Sequence, residues 1–224
     1  TKVVTRIAAK FWNDNTCLDV VEAPGASPRM QIRNVGGTCW SQGIGLHPRY
    51  PLHPVYLPTA ASCGKFRHAV HEFAHALGFY HIHERVDRDE YLTILPENWE
   101  DEPDKPLEAY ENNNFGIPYD YGSIMQYSQT IDSKDKKSPT MLAKRKEYQR
   151  TMGSHIVSFY DVSMMNELYG CKKRCASSPI QCANGGFPHP RHCTKCLCPS
   201  GFAGATCAER PAGCGATLTA TSAP

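Results

Sequence analysis

Four of the chain's ten histidines, His71, His75, His81 and His83, lie in the stretch HEFAHALGFYHIHER at 71 to 85, with Glu72 and Glu84 among them. Imidazoles and carboxylates at that density can hold a metal ion and move protons beside it. His71 and His75 are four residues apart, which on an α-helix stacks the side chains on one face with Cβ atoms about 5–6 Å apart. Two such imidazoles can converge on one zinc ion at Zn–N distances of about 2.0–2.1 Å. Glu72 points to the side of that pair, within reach of a water at the metal without being a ligand. Val70, Phe73, Ala74 and Leu77 supply the apolar side of the same helix. Gly78 ends it, because the residue past the last turn often needs a positive φ, which glycine takes without a Cβ clash. The chain can then reverse and bring His81 back to the same ion. The complete pattern is H-E-x-x-H-x-x-G-x-x-H. The plain alternative is an amphipathic helix with surface histidines, which gives no reason for the glycine break or the third histidine.

These residues need elements to position them. The zinc helix is expected over roughly Arg67 to Leu77. Val4, Ile7, Ala8 and Phe11 have helical spacing near the start of the chain. Short strand-like runs follow, CLDVV, MQIR and PVYLP. The Gly- and Pro-rich segment from Cys39 to Cys63 favours loops and edge strands. From about Glu97 to Gly122 the chain is acidic and rich in Asn and Pro, which predicts irregular structure with a short helix near Leu107. SFYDVSMMNELY at 158 to 169 predicts a closing helix, with Ser158 as cap, Asp161 in the first turn, and Val162, Met165 and Leu168 on one side.

The chain has 224 residues, net charge +2 and 11 cysteines. That length suits one domain of about 170 residues and a small module. Balanced charge points away from nucleic acid and from a polybasic membrane patch. No apolar run approaches the roughly 20 residues of a membrane span. The cysteines crowd from Cys171 onward, which indicates disulfides and an oxidising compartment. The sequence opens at Thr1 without a secretory leader, so the expectation is an internal piece or a processed form of a secreted protein. An odd cysteine must be free or have its partner elsewhere, and Cys214 is the candidate. Composition changes at Cys171. Cys175, Cys182, Cys193, Cys196, Cys198 and Cys207 then hold a stretch with little apolar content, which depends on its bridges for stability. The rival reading is zinc binding at CTKC, which has C-x-x-C spacing. KKR at 172 to 174 is a solvated linker or a processing site.

HEFAHALGFYHIHERVDRDEY closely resembles the zinc signature of the astacin family of metalloproteases, including its R-x-D-R-D run at Arg85, Asp87, Arg88 and Asp89. YGSIMQY at 121 to 127 resembles that family's Met-turn. The resemblance covers residue 1 to about 171 and implies an α+β, two-lobed metzincin domain with an active-site cleft. It implies His71, His75 and His81 as ligands of one catalytic zinc, Glu72 as general base and then acid, and Met125 as an apolar floor that does not bind metal. Tyr127 would be a further zinc ligand in the resting enzyme and would swing away to stabilise the tetrahedral intermediate. His83 matches a position that is not a ligand. The implied pairs are Cys17–Cys171 and Cys39–Cys63. In this family a peptide substrate lies antiparallel along an exposed edge strand before the helix, and PVYLP at 54 to 58 is the candidate, although its flanking prolines suit a plain loop equally. The chain departs from the family at Ile82, where a glutamate normally receives the new N-terminus, and at Gln126, which replaces a histidine.

Residues 172 to 208 resemble an EGF-like module, which implies Cys175–Cys193, Cys182–Cys196 and Cys198–Cys207. The absence of an acidic cluster before Cys175 points away from calcium. Residues 209 to 224 would be a linker or the opening of a CUB-like domain. The arrangement looks most like the nematode astacins. It implies a secreted, extracellular zymogen-derived endopeptidase acting on protein substrates such as cuticle collagen or procollagen, with no particular oligomer implied. The alternative is a catalytically inactive extracellular binding or matrix protein on a protease scaffold. Retention of His71, Glu72, His75 and His81 argues against it.

Overall fold

The computed structural model describes residues 1–47, 49–59, 63–107 and 113–213. They divide into two compact units, Thr1–Cys171 and Lys172–Pro224. Cys214 lies outside the described residues, and the short helix expected near Leu107 falls largely on residues that are also outside them. Among the described residues no helix is long and apolar enough to cross a membrane.

The first unit opens with helix α1, Lys2–Asn15. Its inward face is Ala8 and Trp12, both fully buried, whereas Ile7 is half exposed. Of the expected positions, Ala8 lies in the core and Val4 and Phe11 pack against it, so only Ile7 falls off the inward face. Trp12 meets Phe79 edge-on at 6.4 Å and Phe11 meets Phe66 at 5.7 Å. A small sheet follows, built from β1 (Arg29–Arg33), β2 (Trp40–Ser41) and β3 (Leu52–Tyr56) in the order β1-β3-β2. Strand β1 is the expected MQIR run, but CLDVV forms no strand.

PVYLP is not an edge. Strand β3 pairs parallel with β1 and antiparallel with β2, so it is the middle strand. Val55 and Leu57 are needed in the core under helix α2, which outweighs the prolines. Pro54 is tolerated because β2 pairs only with Val55 and Tyr56. The edges of the sheet are β1 and β2; in β2, Trp40 stacks on its register partner Tyr56 at 4.4 Å.

Helix α2, Phe66–Ala76, packs on α1 and the sheet. One core joins Ala8, Trp12, Val55, Val70, Phe73, Met125 and Met165. Beyond α2 the chain is mostly irregular, with a two-stranded antiparallel pair, β4 (Leu92–Ile94) and β5 (Met141–Ala143). A second core forms there around Leu92, Trp99, Tyr119, Tyr121 and Met141. Helix α3, Phe159–Leu168, closes the unit. Val162 and Met165 are buried as expected, but Leu168 is 41% exposed.

Cys17–Cys171 ties the end of α1 to the end of the unit, and Cys39–Cys63 closes the loop beside β2. In the second unit, β6 (Phe187–His189) and β7 (His192–Leu197) form an antiparallel pair. It is bridged by Cys175–Cys193, Cys182–Cys196 and Cys198–Cys207. Both cysteines of CTKC are consumed by these bonds, which removes the zinc reading of that motif.

Candidate metal centre

Helix α2 presents His71 and His75 on one face, with ring centroids 4.7 Å apart. The helix ends as its sequence requires. Gly78 has φ +107°, its N–H donates to the His75 carbonyl (2.9 Å), and Phe79 N–H donates to Ala74 (2.9 Å). A Cβ on Gly78 would come within 3.3 Å of Leu168 as well as straining the backbone. The reversal carries His81 back to 4.6 Å from the His75 ring and 5.4 Å from the His71 ring. One ring nitrogen of each histidine then lies within 4.8 Å of the others.

Hydrogen bonds orient these rings. His71 Nδ1 donates to the Ile124 carbonyl at 2.8 Å and His75 Nδ1 to the Phe79 carbonyl at 2.7 Å. With both protons on Nδ1, the Nε2 lone pairs face inward. His75 Nε2 and His81 Nε2 stand 3.1 Å apart. That separation lets the two nitrogens share one cation when His81 also carries its proton on Nδ1, so the donor set fits a tetrahedral zinc ion. Burial, reinforced by the neighbouring imidazoles, lowers the pKa of His71 to about 3 and of His75 to about 4, and holds His81 well below its ordinary value. All three therefore stay neutral at physiological pH, as metal ligands must.

Glu72 is 6% exposed, and burial raises its pKa to about 8. Its Oε2 is buried and has no hydrogen-bond partner among the described residues. An unpartnered carboxylate oxygen is costly to bury. A divalent cation in the adjacent histidine cluster would favour the ionised form and return this group to the range of a general base.

The Met-turn is held by contacts from three directions. Met125 is fully buried in the first core, and its carbonyl accepts from Ile82 N–H at 3.0 Å, which joins the turn to the residue after His81. The Gln126 amide oxygen accepts from Tyr119 OH at 2.6 Å. The fully buried Asp161 accepts from Ser123 Oγ, from Ile124 N–H (3.0 Å) and from Ser158 N–H (2.8 Å). Thus the carboxylate that caps α3 also holds Ile124, whose carbonyl orients His71. Replacing Asp161 by alanine orphans three donors, and unfolding free energy should fall by about 3 kcal/mol at pH 5 in urea melts. Burial raises the Asp161 pKa from 3.8 to about 6. The folded state therefore binds this proton more tightly, and the stability it adds is present at acid pH and lost as pH rises through about 6. The deficit of the alanine variant should shrink from pH 4 to pH 7.

Tyr127 packs its ring 4.3 Å from His81 and 4.2 Å from His83. Burial raises its pKa, so the phenol remains a proton donor at neutral pH. His83 is fully buried and bonds Asp104 through Nε2 at 2.9 Å. It stacks on the Tyr127 ring and groups with His81 and Asp104, not with His71 and His75. The R-x-D-R-D run is scaffolding: Arg85 grips Asp87 through two hydrogen bonds of 2.9 and 2.7 Å and donates to the Ile117 carbonyl. Sequence reasoning did not find the roles of Asp104 and Asp161. Only the cap signal at Asp161 hinted at one of them.

A glycine-broken helix with three converging imidazoles, backed by a Met-turn, defines a metzincin-like domain, the zinc-peptidase class. The chain belongs to the astacin family: residues 1–170 match the family model described as Astacin, a peptidase family. Members of this family use one catalytic zinc. The chain is 44% identical over 219 residues to zinc metalloproteinase nas-31 of Caenorhabditis elegans, covering 96% of this chain and 34% of that protein. It is 36% identical to zinc metalloproteinase dpy-31 of the same organism, covering 96% of this chain and 36% of that protein. It therefore spans about a third of the length of these relatives. A solved structure, High choriolytic enzyme 1, a hatching enzyme zinc-protease from Oryzias latipes, aligns with TM-score 0.64 and 26% identity, over 75% of this chain and 82% of that one.

Proposed function

We propose that this chain is the catalytic portion of a secreted zinc endopeptidase that hydrolyses peptide bonds in extracellular proteins. The observation that carries the reading is the convergence of three neutral imidazoles next to Glu72, whose buried Oε2 has no hydrogen-bond partner among the described residues. His71, His75 and His81 are the proposed zinc ligands. Bound zinc would act as a Lewis acid toward water and the scissile carbonyl. Glu72 takes a proton from the attacking water and delivers it to the departing amine. Tyr127, with His83 behind its ring, donates a hydrogen bond to the developing oxyanion. By family likeness alone, Tyr127 is also proposed as an additional metal ligand in the resting state. Met125 keeps a non-ligand role in the floor of the site.

The peptide would add antiparallel to β2 at Trp40 and Ser41, an edge strand that already runs antiparallel to β3, and not to PVYLP. Matrix proteins such as cuticle collagen or procollagen are the proposed substrates, by family likeness. The five disulfides suit an extracellular setting. Residues 172 to 208 are proposed as an EGF-like module, supported by three bridges in the order first-third, second-fourth and fifth-sixth. Residues 209 to 224 are proposed to lead into a further domain.

The test is digestion of a mixed peptide library by the purified chain, with and without 1,10-phenanthroline, read by mass spectrometry. Chelator-sensitive cutting is expected and gives the site preference. An absence of cutting with zinc bound would turn the reading to a scaffold protein. Replacing Tyr127 by phenylalanine should keep fold and zinc and slow turnover about 100-fold. An unchanged rate would make the phenol structural.

A further inference from the structure

We propose that Glu84 is a positioning residue for His81, with its carboxylate accepting the Nδ1 proton of that imidazole. This rests on the reading of His71, His75 and His81 as zinc ligands. Glu84 Oε2 lies 3.1 Å from His81 Nδ1, and the same oxygen accepts from the His81 backbone N–H at 2.9 Å. The 3₁₀ turn Ile82–Glu84 folds the carboxylate back over the residue that precedes it. One oxygen thereby sets both the backbone and the ring of His81. The side chains are largely enclosed, 16% exposed for His81 and 21% for Glu84.

The other two histidines hand their Nδ1 protons to backbone carbonyls, those of Ile124 and Phe79. His81 has a carboxylate instead. The Glu84 backbone N–H also approaches the His81 side chain. The direction of Nε2 decides between the two partners. It stands 3.1 Å from His75 Nε2, and once both nitrogens ligate zinc its lone pair serves the cation, which puts the proton on Nδ1, facing the carboxylate. A charged acceptor there makes the imidazole a stronger donor to zinc than a carbonyl would and locks the ring at the end of a loop, where helix geometry no longer holds it.

The experiment compares the full chain with Glu84→Gln and Glu84→Ala. Zinc dissociation constants are measured by chelator competition, and cobalt is substituted to record its visible absorption. Each protein should bind one zinc. Glu84→Ala should bind it about 10- to 100-fold more weakly, with an altered cobalt spectrum, and Glu84→Gln should fall between, because its amide oxygen still accepts. Thermal unfolding of the zinc-free proteins separates a ring-positioning effect from a general loss of fold. Zinc affinity of Glu84→Ala within twofold of the parent overturns the proposal. A parent chain that binds no zinc overturns the reading of the three histidines on which it rests.

Discussion

Glu72→Gln should retain zinc and lower kcat/KM by about 10³- to 10⁴-fold, the contribution expected of a general base that also serves as acid. The substitution is nearly isosteric, so the 6%-exposed pocket is filled as before. What is lost is the ability to accept and return a proton. Zinc stoichiometry and peptide turnover on the same preparation check the result. Activity comparable to the parent would remove Glu72 as the base. A second consequence separates chemistry from stability. In the metal-free protein, burial raises the Glu72 pKa from 4.5 to about 8. The folded state binds that proton more tightly than the unfolded chain, so its stabilising effect is full below about 4.5 and is lost as pH rises through about 8. Metal-free Glu72→Gln has no such loss and should be the more stable of the two at pH 8. The site is thus expected to give up stability for function.

Removing the Cys17–Cys171 bridge by double alanine substitution should lower the unfolding free energy of the first unit by about 5 kcal/mol, from the loop-closure entropy of a 154-residue separation. The bridge joins the chain just after α1 to the chain just after α3, and both cysteines are buried. Around it, Asn166 Nδ2 donates to the Asn15 carbonyl at 2.8 Å, and Cys17 N–H approaches Cys171 Sγ. The Asn166 contact survives in the variant, but the unfolded chain gains the freedom of a loop that spans nearly the whole unit. All three tryptophans, Trp12, Trp40 and Trp99, lie in this unit, so their fluorescence in a urea titration reports on it alone. A loss below about 1 kcal/mol would mean that helix packing holds the two ends together without the bond.

The sequence by itself determined the helix at Phe66–Ala76, its glycine stop and the return of His81. These follow from local rules: a four-residue histidine spacing, an apolar face and one position that needs a positive φ. It also determined the capped start of α3, because Ser158 and Asp161 bond each other across three residues. Family resemblance supplied the five cysteine pairs, which composition alone left open. Tertiary structure decided what depends on partners distant in sequence. PVYLP reads from its flanking prolines as either an edge or a plain loop, yet it falls in the middle strand, since the core needs Val55 and Leu57 and β1 and β2 arrive from elsewhere. Asp161 reads as a first-turn acid beside the Ser158 cap, but its carboxylate is also claimed by Ser123 and Ile124, so it aligns His71 as well. His83 and Asp104 are 21 residues apart and meet behind Tyr127. No periodicity encodes such meetings. They arise when burial removes water and each enclosed polar group must find its partner within the folded chain.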